Sequence, residues 1–90
     1  MRRKRGRLEV IFTILKTVSD HHNSIKPTRL LRASGLSSSG FSDYYAELAA
    51  KNFLKEIPGE NGKYVTLTDK GFKYLEKYRL ILGFINEFEL

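Results

Sequence analysis

The chain contains no cysteine. Neither a disulfide frame nor a thiolate metal site can therefore be built. No apolar run approaches the length needed to span a membrane. The basic start, MRRKRGR, is followed by Glu9 rather than by an apolar stretch, so it does not read as a signal peptide. The expected location is the cytoplasm. No glycine-rich phosphate loop follows a strand, and no carboxylate pair sits in an apolar setting. Asp20, His21 and His22 share a polar stretch, but no fixed nucleophile accompanies them, so catalysis is not expected. The adjacent histidines lack a third soft ligand, and no metal or other cofactor is expected either.

What is present is positive charge in one place. The net charge is +6, from 16 basic and 10 acidic residues. Five of the positive charges are Arg2, Arg3, Lys4, Arg5 and Arg7. Without them the body is close to neutral. A short basic arm of this kind suits phosphate backbones, because each neutralised phosphate releases counterion. Ninety residues make one domain with a small core, which dimerisation would enlarge.

Along the chain, Leu8, Ile11, Phe12, Leu15 and Val18 recur at three and four residues, with Ile14 broadening the face. They predict a helix over about 7–19. A polar loop over 20–24 follows. Pro27 suits a first helical turn, or Thr28 a cap, for a second short helix through Ser34. Leu30, Leu31 and Ala33 are its expected apolar face, with Arg29 and Arg32 pointing elsewhere. Gly35 permits a tight turn, and Leu36 is expected to plug back into the core. Ser37, Ser38 and Ser39 are each competent caps for a third helix through Lys51. Phe41, Tyr44, Tyr45, Leu48 and Ala49 are its expected core face. Ser39, Gly40, Ser42, Asp43 and Ala46 make the opposite face small and unobstructed, which suits insertion into a groove. Asn52 tolerates the left-handed conformation that ends a helix.

Residues 53–57 and 63–67 read as two strands around the turn cluster Pro58–Gly62, with Asn61-Gly62 as the hairpin signal. Thr68 caps a last helix over about 69–88, and Gly71 near its start is expected to permit a close approach. This helix carries two apolar stripes. One comprises Leu75, Tyr78, Leu82 and Ile85; the other comprises Phe72, Tyr74, Ile81, Phe84 and Phe88. One stripe serves a small core. The second asks for a partner, and a second copy of the chain is the economical one, with Phe72, Leu75, Tyr78, Ile81, Leu82, Ile85 and Phe88 as the expected dimer contacts.

The predicted class is mainly α with a small β-hairpin. It divides into a basic arm over 1–6, a helix–turn–helix with a hairpin wing over 7–68, and a dimerisation helix over 69–90. In such an arrangement the third helix enters the major groove of double-stranded DNA. The expected contacts are Ser37, Ser38, Ser39, Gly40, Ser42 and Asp43 on that helix, and Thr28, Arg29 and Arg32 on the one before. Lys51, Lys55 and Lys63 are expected near the wing. The third helix has no arginine in its first two turns, which shifts weight to phosphates and shape. Three readings follow: a dimeric sequence-specific regulator, a less specific chromatin-type binder, and a protein-interaction module built on the same scaffold.

The segments RGRLEVIFTILKTV, KPTRLLRASGLSSSGFSDYYAELAAKNFLKEI and GKYVTLTDKGFKYLEKY resemble the archaeal winged helix–turn–helix regulators. That group includes small crenarchaeal DNA-binding proteins that dimerise through a C-terminal antiparallel coiled coil. The resemblance spans about Arg5 to Phe88. Its most specific pieces are Thr28-Arg29, Leu36-Ser37 and the run from Leu67 to Gly71. It implies that Ser37 to Asp43 faces the major groove and that the segment after Gly71 forms the dimer contact. Two departures stand out. Residues 38–40 are bare where members often carry a large or basic side chain, and Asn52 stands where glycine is usual.

Overall fold

The computed structural model of the chain describes residues 6–90. Its elements run α1 (Arg7–Asp20), α2 (Pro27–Ser34), α3 (Ser38–Ala50), β1 (Leu54–Gly59), β2 (Gly62–Leu67) and α4 (Asp69–Glu87). The mainly helical class, the helix–turn–helix and the hairpin are all as the sequence predicts.

Val10, Ile11, Ile14, Leu15 and Val18 of α1 form the centre of the core. They meet Leu30 of α2, Phe41 and Leu48 of α3, Leu54, Val65 and Leu67 of the hairpin, and Leu75 of α4. The buried arc of α1 is thus turned relative to the predicted one. Val10 is inside, while Leu8 is 53% exposed. Leu8 lies in the first turn at the rim of a groove shared with Tyr78 and Ile81 of α4, and Phe12 bridges to α4 by stacking on Tyr78 with ring centroids 4.6 Å apart. On α2, Ser34 rather than Ala33 is buried. Ser34 stands four residues after Leu30 and shares its face. Its hydroxyl donates to the Leu31 carbonyl at 2.7 Å and accepts from the Leu36 amide at 3.2 Å, which makes burial affordable. Ala49 of α3 is exposed because Leu48, one step round the helix, takes the core position.

The helix ends follow from local chemistry. Pro27 opens α2, and Gly35 closes it in the left-handed region at φ 75°. Asn52 adopts φ 65° after α3. β1 pairs antiparallel with β2 from Leu54 opposite Leu67 to Gly59 opposite Gly62, so the loop is Glu60-Asn61, one residue earlier than the Asn61-Gly62 signal places it. Gly62 carries the positive φ, 111°. The polar loop after α1 is more tied than its composition suggests. Ile25 exchanges backbone hydrogen bonds with Val65 and adds a one-residue bridge to the sheet. Asn23 Oδ1 accepts from the Leu67 amide at 2.7 Å.

Thr68 caps α4 by accepting from the Gly71 amide at 3.2 Å. A Cβ on Gly71 would lie 2.3 Å from the Phe53 carbonyl oxygen, so the start of α4 presses directly on the backbone between α3 and β1. Past Tyr78, α4 leaves the core. The molecule measures 46 × 27 × 21 Å, and its radius of gyration, 13.7 Å, exceeds the roughly 12 Å of a compact chain of this length.

Candidate nucleic-acid interface

α3 is built to show one small, unobstructed strip. The Ser37 hydroxyl accepts from the Gly40 amide at 3.1 Å and satisfies one of the helix's free donors. Of the three serines competent to cap, Ser37 does so, which leaves Ser38 and Ser39 exposed on the first turn. Ser42, Asp43, Ala46, Ala49 and Ala50 continue the exposed strip, while Gly40 is half-buried. Asp43 is the strip's one charge.

Both flanks of α3 are pinned. On the side facing α1, Glu47 accepts from Arg7 and, at 2.8 Å, from Lys51. The Arg7 hydrogen bond, then that from Lys51, holds the Glu47 carboxyl down to about 2. On the side facing the hairpin, the Tyr45 hydroxyl donates to Glu56 Oε2 at 2.5 Å. Burial, followed by the Glu56 hydrogen bond, pushes the Tyr45 phenol well above its ordinary range. Lys63 Nζ stands 3.8 Å from the other oxygen of Glu56. Three of the predicted basic contacts, Arg7, Lys51 and Lys63, are therefore each beside a carboxylate.

Arg29 and Arg32 differ. Both are exposed on α2, and neither is in an ion pair among the described residues. With Thr28, Ala33 and His21 they line an open cleft of about 510 Å³. Lys26 sits over the Tyr64 ring of β2 at 5.8 Å. His21 Nδ1 lies 2.9 Å from the Thr17 carbonyl, so this histidine is held against its own helix. No group of three metal-capable side chains occurs among the described residues. No helix among them is long and apolar enough to cross a membrane. Arg2, Arg3, Lys4 and Arg5 lie outside the described residues.

The predicted stripes on α4 separate by depth. Leu75 is 2% exposed and is packed inside the monomer, which corrects its expected place among the dimer contacts. It faces α1 squarely in the first half of α4, before the helix departs. Tyr74 also turns inward: its ring meets Phe53 edge-on at 5.7 Å, and its hydroxyl donates to the Leu8 carbonyl at 2.7 Å. Tyr78, Leu82 and Ile85 line a groove of about 580 Å³ with Phe12 and Thr13 of α1. Phe72, Ile81, Phe84 and Phe88 are exposed, and so is Leu80, which the stripe reading omits. Leu80 stands four residues before Phe84, a spacing that puts the two on one side of the helix.

Sequence reasoning also missed the pins on α3. Glu56 had a readable signal: it stands two residues after Leu54, so strand alternation puts it on the same side as a core residue. Glu47 and Arg7, 40 residues apart, gave none.

Residues 4–85 match the sequence profile described as winged helix-turn-helix. No curated protein sequence matches the chain. Among solved structures, the chain is similar to a winged-helix DNA-binding protein from STIV, with a TM-score of 0.73 and 22% identity over 88% of this chain and 91% of that one. It is similar to Sso10a-2, a DNA-binding protein from Sulfolobus solfataricus, with a TM-score of 0.76 and 19% identity over 94% and 86%. It also resembles the oxidised form of MarR from E. coli, with a TM-score of 0.74 and 23% identity, covering 83% of this chain and 54% of that one.

Proposed function

The chain belongs to the winged helix-turn-helix family, and from that premise we propose that it binds double-stranded DNA as a homodimer and regulates transcription. The observation that carries the reading is the exposed strip of small residues on α3, together with the exposed Arg29 and Arg32 of α2, which are in no ion pair among the described residues. Small side chains let the helix backbone approach a groove floor, and serine hydroxyls donate or accept at base edges and phosphates. In this reading Ser37, Ser38, Ser39, Gly40, Ser42 and Asp43 face the major groove. Thr28, Arg29 and Arg32 hold phosphates. Lys51 and Lys63 meet backbone beside the wing, and the arm from Arg2 to Arg7 tracks phosphates or enters a minor groove. That two of the similar structures are described as DNA-binding proteins supports the reading. The dimer rests on the outer half of α4, where Tyr78, Ile81, Leu82, Ile85 and Phe88 offer more apolar surface than one copy covers.

A second reading has its own observation. No lysine or arginine lies on α3 between Ser38 and Ala50, so base-specific bidentate contacts are missing from the groove-facing strip. A backbone- and shape-reading binder of low specificity fits that strip. The test common to both is fluorescence anisotropy with a random duplex of about 30 bp across a salt series. The proposal expects affinity to fall steeply with salt, by about 0.9 in log–log slope per neutralised phosphate. Absence of binding at low salt would overturn it.

A further inference from the structure

The two elements that meet DNA in the proposed reading, α3 and the hairpin, are joined at their outer edge by one side-chain chain. Tyr45 lies at the border between the core face and the exposed strip of α3. Its ring stacks on Phe41, with centroids 5.5 Å apart, which fixes the direction of the hydroxyl. That hydroxyl donates to Glu56 Oε2 at 2.5 Å, and Glu56 Oε1 is 3.8 Å from Lys63 Nζ. The register explains why these groups meet. Leu54, Glu56 and Pro58 share one face of β1, opposite Leu67, Val65 and Lys63 of β2. Leu54, Val65 and Leu67 on that face are buried in the core, so Glu56 and Lys63 continue the helix-facing side of the hairpin outward toward its tip.

We propose that Tyr45 and Glu56 are positioning residues that brace the hairpin against α3, so that this hydrogen bond sets the spacing of the two elements and thereby the choice among duplexes. The inference rests on the DNA-binding reading above. Glu56 is an anion beside a surface meant for phosphates, where its charge alone weakens binding. An anion kept there calls for a geometric role. Two partners account for both oxygens: one holds the helix and the other orients the Lys63 ammonium. A hairpin free to swing would still touch phosphate. It would do so at any spacing, and discrimination between sequences would fall while general affinity stayed.

The test uses Tyr45→Phe, Glu56→Leu and the double variant of the full chain. Each is measured against the duplex best retained after selection from a random pool of about 30 bp, and against the unselected pool. Thermal unfolding confirms that each variant folds. The brace predicts that Tyr45→Phe and Glu56→Leu each lower affinity for the selected duplex by about tenfold and leave the pool within about twofold. The double variant is no worse than either single one, because both remove the same bond. Faster amide exchange over residues 56–63 accompanies the loss. A purely repulsive Glu56 gives the opposite sign: Glu56→Leu tightens binding to both probes and Tyr45→Phe changes nothing. That result overturns the proposal. A wild-type chain that binds but enriches no sequence also overturns it while leaving DNA binding intact. A wild-type chain that binds neither probe removes the DNA reading and the brace together.

Discussion

At the scale of single residues, the most consequential side chain is one that is missing. Alanine in place of glycine inside a helix ordinarily gains about 1 kcal/mol. At Gly71 the added Cβ would fall 2.3 Å from a backbone oxygen, that of Phe53, which cannot rotate aside. Overpacking of that kind costs about 1–3 kcal/mol or more, so Gly71→Ala is expected to destabilise the fold by about 2 kcal/mol in chemical denaturation. An increase in stability would show that the start of α4 can slide. Glu47 supports a pH prediction. Its carboxyl is lowered from 4.5 to about 2 by Arg7 and Lys51. A depressed carboxylate stabilises the fold fully above its unfolded value, and that contribution is lost as pH falls through the folded one. Wild-type stability is thus expected to drop between about pH 4.5 and pH 2, with Glu47→Gln showing a shallower drop over the same window in low salt. Denaturation midpoints across that range check it.

At the scale of elements, what was legible was whatever depends on neighbours in sequence. Caps are an example: Ser37 and Thr68 are chosen by the amides two or three residues on, and both perform that role. Glycine and asparagine at positive φ, as at Gly35 and Asn52, are equally local. What depends on the third dimension was less legible. The periodicity of α1 admits Leu8 or Val10 at the edge of its face. Only the placement of the other elements round the core decides for Val10. Ile25 sits alone between polar residues, and its bridge to Val65 requires the fold to be known first. The interface followed the same division. Its small strip was readable from α3 alone, and so was the four-residue spacing of Glu47 and Lys51, while the meeting of Glu47 with Arg7 was not. The outer half of α4 yields the prediction proper to this scale. Phe84 and Phe88 are 57% and 58% exposed, so replacing both with glutamate leaves the monomer core untouched. Sedimentation is expected to show the wild type as a dimer and the double variant as a folded monomer, whose Tm no longer depends on concentration. A dimer that survives both changes would place the contact elsewhere.

At the scale of the whole molecule, the separation of roles along the chain matters most. The body is nearly neutral, and the exposed Arg29 and Arg32 of α2 are in no ion pair among the described residues. The net positive charge is concentrated before Leu8, where Arg2, Arg3, Lys4, Arg5 and Arg7 stand. Removal of residues 1–5 takes away Arg2, Arg3, Lys4 and Arg5. In the proposed account it lowers the salt slope of DNA binding by about 3 to 4 per protomer, measured by anisotropy, while leaving any preferred sequence unchanged. The molecule is 46 Å in its long dimension, and in the proposed dimer, joined through the outer half of α4, the two copies of α3 stand apart across a two-fold axis. Such a dimer reads two half-sites separated by about one helical turn, roughly 34 Å, or a multiple of it. The measurement that bears most directly on this account is retention of genomic DNA fragments by the full chain across a salt series, with sequencing of what remains bound at the highest salt. Enrichment of a two-fold symmetric site with that spacing is the predicted result. Failure to retain any fragment, even at low salt, would contradict it.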